Sequence, residues 1–161
     1  LVMGQSIGFG VHFVFQETRG AMETVEQVDN NTVLKGIRMN GERAVWLEEI
    51  SEYVRAQGLQ GQEVILFGQI PSMSFYLQMP SSFNPWSDLR SYTYESMKAA
   101  MEQVIVEVND GKRAPVVMVD RTYLEAEGKS MADKWQLIVD YMEIFDYQMS
   151  FYNEKFVIYE R

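Results

Sequence analysis

The stretch Glu63-Val64-Ile65-Leu66-Phe67 is continuously apolar after its first residue and is bounded by Gly61 and Gly68. An apolar run of this length between glycines is typical of a strand that is covered on both faces. We therefore predict a buried strand here and expect it to be the central strand of a sheet. A second run of this kind, Pro115-Val116-Val117-Met118-Val119, ends directly before Asp120.

Helical patterns lie between these runs. Asn40 is a favourable N-cap, and apolar residues then recur at helical spacing as far as Gly58, which suits a left-handed C-cap. Thr93 can cap a long helix that ends near Gly111. A last helix is predicted after Ser130, which begins a capping-box pattern. A short helix is expected from residue 71 to 77, and loops are expected at residues 80–85 and 121–129.

The remaining segments predict further strands. Apolar residues alternate through residues 10–16, and a strand is expected at residues 32–37. Residues 147–152 and 156–159 predict a C-terminal hairpin around Asn153-Glu154-Lys155. We expect 161 residues to form a single α/β domain. Its predicted architecture has three layers: a mostly parallel sheet with helices on both faces and an antiparallel C-terminal edge hairpin.

Composition argues against several classes of partner. The chain has 14 Lys and Arg against 23 Asp and Glu, which gives a formal charge of −9. Sequence-independent binding to nucleic acid requires clustered cations, so nucleic acid is not an expected partner. The cations are scattered, which also argues against direct binding to anionic lipids. No run of about 18 apolar residues is present, so no bilayer span is predicted.

No catalytic or metal-binding signature is assembled in the sequence. His12 is the only histidine, there is no cysteine, and no serine lies in a Gly-x-Ser-x-Gly motif. The glycines near strand ends do not form a phosphate-binding loop. Acidic pairs at Glu48-Glu49 and at Glu125 with Glu127 are interpreted as solvated surface. We therefore predict no catalytic residue, no metal ligand and no cofactor.

A ligand site is nevertheless predicted from the architecture. Open α/β sheets bind ligands beyond the carboxyl ends of their strands, and the loop at residues 80–94 is expected to fold over that edge. An aromatic ring with planar polar neighbours suits a sugar ring. Alternatively, Trp86 fills the core, Asp88 caps a turn and Arg90 pairs with an acid. The candidate ligand-binding residues are Gln69, Trp86, Asp88, Arg90, Tyr92, Asp120 and Arg121.

Five short segments carry a family resemblance. They are Val33-Leu34-Lys35-Gly36-Ile37, Ile65-Leu66-Phe67-Gly68-Gln69-Ile70-Pro71, Tyr76-Leu77, Trp86-Ser87-Asp88-Leu89 and Phe156-Val157-Ile158-Tyr159. Together they resemble the soluble carboxyl-terminal domain of bacterial polytopic membrane proteins similar to integral-membrane glycosyltransferases that use lipid-linked sugars. The resemblance implies that a transmembrane region carries the catalytic acid and binds the polyprenyl-phosphate sugar donor, while the soluble domain faces outside. None of that family's catalytic residues maps onto this chain.

Three hypotheses of function follow. The first is a non-catalytic accessory domain on the extracytoplasmic face of the cell membrane, which binds a glycan or protein acceptor beside its own transmembrane region. The chain begins at Leu1, so we expect it to be a piece of a longer protein. The second is a freestanding enzyme that acts on a small polar substrate through Asp120, with Arg121 binding an anionic group. The third is a protein-interaction domain that uses Trp86 and Tyr92.

Overall fold

The computed structural model describes residues 25–125 and 132–161. The predicted strand at residues 10–16, His12 and the predicted cap at Ser130 lie outside the described residues. No helix within the described ranges combines the length and the apolarity needed to cross a bilayer. In chain order the elements are β1 (Val25–Gln27), β2 (Arg38–Asn40), α1 (Gly41–Ala56), β3 (Val64–Phe67), α2 (Met73–Tyr76), α3 (Tyr94–Asn109), β4 (Val116–Asp120), α4 (Arg121–Glu125), α5 (Ala132–Ile144), β5 (Gln148–Tyr152) and β6 (Phe156–Glu160).

The main sheet is mixed, with strand order β3-β4-β6-β5. Its β3 and β4 are parallel, whereas β4 pairs with β6, and β6 with β5, in antiparallel orientation. The α/β class and the antiparallel C-terminal hairpin are therefore confirmed. The prediction of a mostly parallel sheet is wrong, because the hairpin supplies two of the four strands and its second strand inserts beside β4.

The expectation that residues 63–67 form the central strand is also wrong. All four residues of β3 are buried, as predicted, yet β3 lies at the edge of the described four-stranded sheet. The extended segment Pro80–Ser82 covers its outer side: Val64 N donates to Pro80 O, and Ser82 N donates to Val64 O. Edge strands are commonly protected by a covering loop, so full burial does not identify a central strand.

Two local predictions between the strands are corrected. Residues 32–36 form turns rather than a strand, because the Asn31 side-chain oxygen accepts hydrogen bonds from Val33 N and Leu34 N. Such side-chain bonds compete with strand pairing. The strand instead begins at Arg38 and pairs antiparallel with β1 in a separate two-stranded sheet. The predicted loop after Asp120 begins with the short helix α4.

Helix ends follow the predicted caps. Asn40 accepts a hydrogen bond from Glu42 N at the start of α1, and Thr93 accepts one from Ser96 N at the start of α3. At the end of α1, Gly58 has φ +64°, Gly58 N donates to Arg55 O and Leu59 N donates to Val54 O. These two bonds are those of a Schellman motif.

Buried side chains fall into two clusters, as the alternation of side chains along a strand requires. The first cluster joins Val64 and Leu66 of β3 to α1 and α2, and also includes Met118 and Ile158. The second cluster joins Ile65 and Phe67 of β3 to residues of α3 and α5. At the carboxyl ends of β3 and β4, the turns that follow these two strands lie beside the first cluster.

Candidate functional site

A cavity of about 670 Å³ lies at the carboxyl ends of β3 and β4, beside α1 and α2. This volume is in the range of small-molecule sites, roughly 300 to 1,000 Å³. Apolar members of the first cluster form part of its lining, among them Leu47, Ile70 and Met73. The polar and aromatic residues of the described lining are Arg38, Arg43, Trp46, Gln69, Ser72, Tyr76, Asp120, Thr122, Tyr123, Lys155 and Phe156.

Asp120, the last residue of β4, is the only carboxylate among the described residues of this lining. The side chain is buried, with an exposed fraction of 3 % for the residue. Its Oδ1 accepts from Thr122 N at 3.0 Å and from Thr122 Oγ1 at 2.6 Å, and its Oδ2 accepts from Lys155 Nζ at 2.8 Å. Three donors hold the carboxylate in place, and a carboxylate has capacity for about four, so it can still accept a bond from a ligand hydroxyl.

Lys155 reaches Asp120 because of the antiparallel pairing between β4 and β6. Asp120 is opposite Phe156 in that register, so the turn before β6 lies beside the end of β4. Arg121 N also donates to Lys155 O at 2.8 Å, which fixes the backbone of the turn. The ammonium of Lys155 contacts Thr122 Oγ1 as well, at 3.3 Å.

Asn153 connects this turn to α1. Its Oδ1 accepts from Lys155 N at 2.9 Å and Phe156 N at 2.8 Å, while its Nδ2 donates to Trp46 O at 3.1 Å and to Glu49 Oε2 at 2.9 Å. One buried amide therefore positions two sides of the cavity, since it bonds to the backbone of both Lys155 and Trp46. Glu49, which was interpreted as solvated surface, is one of its acceptors.

The structure brings together two of the seven predicted ligand-binding residues. Gln69, just after β3, and Asp120 both line the cavity. Arg121 is adjacent to Asp120 but is not part of the lining. Its Nη1 donates to Asn153 O at 3.2 Å, and its guanidinium lies 5.7 Å from the centre of the Tyr152 ring.

The loop at residues 80–94 packs against the second cluster rather than over the cavity. Phe83 and Tyr92 stack with ring centroids 6.4 Å apart, and both contact that cluster. The buried Ser87 donates from Oγ to Leu66 O at 2.7 Å. Trp86 is 50 % exposed and therefore does not fill the core, and Arg90 is exposed. Neither residue lines the cavity.

A buried lysine fixes this loop. The Lys134 ammonium, on α5, donates to the carbonyls of Ser87 at 2.9 Å and Leu89 at 2.8 Å, and also to the carbonyl of Tyr92. Burial lowers the pKa of Lys134, and the nearby Asp88 carboxylate opposes that shift. Three backbone acceptors satisfy the three donors of the ammonium. The loop is therefore held by a side chain of α5, which lies outside the loop.

Asp88 is buried, and its Oδ1 has no hydrogen-bond partner among the residues that the structure describes. Burial raises the pKa of Asp88, and the nearby Asp120 raises it further, whereas Lys134 opposes the shift. Asp88 therefore lies close enough to Asp120 for their charges to interact. Asp88 does not line the cavity.

Sequence reasoning missed most of the cavity's polar lining, including Arg38, Trp46 and Lys155. A usable signal existed for Trp46, which follows the Asn40 cap by less than two turns and so must lie near the start of α1. No local signal identified Lys155. Within residues 25–125 and 132–161, no three acidic or imidazole side chains gather closely enough to hold a metal ion.

Comparison of the chain with protein-family models gives no match. Comparisons with curated proteins and with solved structures give no match either.

Proposed function

We propose that the chain is a non-catalytic accessory domain that binds the glycan part of an acceptor in the cavity at the ends of β3 and β4. The observation that carries this proposal is the make-up of the lining. Aromatic side chains at Trp46 and Tyr76 line the same cavity as Gln69 and the partly satisfied carboxylate of Asp120. Rings that stack on a sugar, with planar polar groups that bond its hydroxyls, suit a saccharide.

The proposed setting comes from the family resemblance. In it the domain lies on the extracytoplasmic face of the cell membrane, and its partners are its own transmembrane region and a glycan or protein acceptor. The division of buried side chains into clusters with α1 on one side and α3 with α5 on the other supports a single three-layer domain. In the longer protein, deletion of residues 1–161 should impair sugar transfer or change acceptor choice; unchanged transfer to the same acceptors would argue against this setting.

Saccharide binding by the chain itself can be measured by isothermal titration calorimetry. The panel is glucose, galactose, N-acetylglucosamine and glucuronate. Gln69→Ala is the cavity variant, because Gln69 is exposed and its replacement leaves the core intact. Gln60→Ala is its matched control, an exposed glutamine outside the lining. We expect binding that weakens in Gln69→Ala and not in Gln60→Ala. Absence of binding across the panel would contradict the proposal.

A second candidate is an enzyme that acts through Asp120. The observation in its favour is the 2.8 Å contact between Asp120 and Lys155 in the wall of the cavity. Arg121, which this hypothesis used to bind an anionic group, bonds instead to Asn153 O. Turnover of any panel sugar or its phosphate ester by the chain, lost in Asp120→Asn, would favour this candidate over the accessory role.

A third candidate is a protein-binding surface at Trp86 and Tyr92. Exposure of Trp86 favours it, whereas the stacking of Tyr92 on Phe83 leaves that ring only partly accessible. Binding that perturbs Trp86 and not Trp46 would favour this candidate over ligand binding in the cavity.

A further inference from the structure

We infer that the saccharide bound in the cavity carries an anionic group, a carboxylate or a phosphate, held by Arg38 and Lys155. This inference rests on the proposed function and names the class of its ligand. It starts from the charge of the lining, which is opposite in sign to the charge of the chain.

Within residues 25–125 and 132–161, four charged side chains line the cavity: the cations of Arg38, Arg43 and Lys155 and the carboxylate of Asp120. Asp120 neutralises Lys155 through their 2.8 Å contact, and Arg38 adds a further cationic charge to the wall. The whole chain has a formal charge of −9. A concave site with walls of low polarity focuses the field of such charges, so this part of the molecule attracts anions even though the chain as a whole repels them.

Arg38 is the cation best placed to contact the ligand. It lies in β2 and is exposed, and it lines the cavity two residues before the Asn40 cap. No carboxylate of the described residues forms an ion pair with it. A guanidinium presents a planar fork of donors that matches a carboxylate or a phosphate, so this position suits recognition of either group.

Lys155 contributes a second contact for the same group. Its ammonium has three donors, two of which are directed to Asp120 Oδ2 and Thr122 Oγ1. The third remains for a ligand oxygen. The hydroxyl of Thr122, which donates to Asp120 Oδ1, can still accept a bond from a ligand hydroxyl. A ligand that places an anionic oxygen beside Lys155 and a neutral hydroxyl beside Asp120 is a charged monosaccharide rather than a neutral one.

The test compares glucose with glucuronate and with glucose 6-phosphate, which add a carboxylate or a phosphate to the same ring. We expect both anionic sugars to bind the chain at least about tenfold more tightly than glucose, as charge-assisted bonds require. Arg38→Gln should remove most of this preference, measured as the ratio of the affinity for each anionic sugar to the affinity of the same variant for glucose. Arg55→Gln, an exposed arginine of α1 outside the lining, should leave both affinities unchanged.

The two anionic arms identify the group: preference for glucuronate alone assigns a carboxylate, and preference for glucose 6-phosphate alone assigns a phosphate. Equal affinity for glucose and both anionic sugars would overturn this inference and leave the proposed saccharide binding in place. An anionic preference that persists in full in Arg38→Gln would overturn the assignment to Arg38. Absence of binding by all three sugars would overturn this inference, and the proposed function would fall as well if galactose and N-acetylglucosamine also failed to bind.

Discussion

Gly68 and Asp120 are in direct contact across the carboxyl ends of the two parallel strands. A Cβ built on Gly68 would lie 2.5 Å from the Cβ of Asp120, and the Gly68 backbone has φ +100°. Glycine is required here for both reasons, since a side chain would clash and would also be strained at positive φ. The close approach brings the turn that bears Gln69 beside the carboxylate that lines the cavity.

Gly68→Ala should therefore destabilise the chain by more than backbone strain alone. Gly111 provides a matched control, because it has φ +98° and no heavy atom within 4 Å of a built Cβ. We expect Gly111→Ala to lower the free energy of unfolding by about 1 to 2 kcal/mol. Gly68→Ala should cost about 1 to 3 kcal/mol more, from overpacking against Asp120. Denaturant unfolding monitored by circular dichroism measures both losses, and equal losses would show that the contact is relieved without cost.

Asn153→Ala should weaken the connection between the C-terminal hairpin and α1. The substitution removes four hydrogen bonds, including those to Lys155 N and Trp46 O, and we expect a loss of about 2 to 4 kcal/mol in unfolding free energy. Asn84→Ala, which removes one exposed bond to Trp86 N, should cost less than about 1 kcal/mol. In urea unfolding experiments, similar losses for the two variants would contradict a special role for Asn153.

Lys134→Met should destabilise the loop at residues 87–92. The change leaves three carbonyls without their donor and removes a cation that interacts with Asp88, so we expect a loss of about 3 kcal/mol. Lys98→Met is the matched control. Lys98 forms only an exposed ion pair with Glu102 on α3, and its replacement should cost less than about 1 kcal/mol. Hydrogen exchange of the loop amides should accelerate in Lys134→Met alone; an unchanged rate there would contradict the assignment.

Asp88→Asn should change the pH dependence of stability. Burial raises the pKa of Asp88 in the folded state above its ordinary value of 3.8, so the native state binds more protons than the unfolded state between those two pKa values. Stability contributed by protonated Asp88 is present below the unfolded pKa and is lost as pH rises through the folded pKa. Asparagine cannot ionise, so the Asp88→Asn variant does not lose this stability as the pH rises.

The unfolding free energy of Asp88→Asn, measured relative to the unchanged chain, should therefore increase from about pH 4 to about pH 7. Denaturant titrations of both proteins across this range give the difference directly. A difference that stays constant, or that decreases with pH, would contradict a raised pKa for Asp88.

The predicted elements that proved correct depend on local signals. Asn40, Gly58 and Thr93 mark helix ends because their caps are formed within a few residues of the chain. The buried run at residues 64–67 is a strand for a similarly local reason, its uninterrupted apolar sequence. The turn at residues 32–36 was missed because the Asn31 side chain, rather than a strand partner, satisfies the backbone there.

The parts that could not be predicted depend on non-local pairing. Nothing in the hairpin sequence states that β6 inserts beside β4, and that insertion is what places Lys155 next to Asp120. The path of the loop at residues 80–94 depends on Lys134, which is more than 40 residues away in sequence from the carbonyls it bonds. Lysine is rarely buried, so its position on a helix gave no indication of this role.

The most direct test of the proposed site is the response of the three tryptophan indole N–H resonances to glucuronate. Trp46 lines the cavity, Trp86 is exposed on the loop at residues 80–94, and Trp135 packs against the second cluster. Single Trp→Phe variants assign the three signals. Binding in the cavity predicts a saturable shift of the Trp46 signal with the other two unchanged. A shift of Trp86 without Trp46, or no shift at saturating glucuronate, would contradict it.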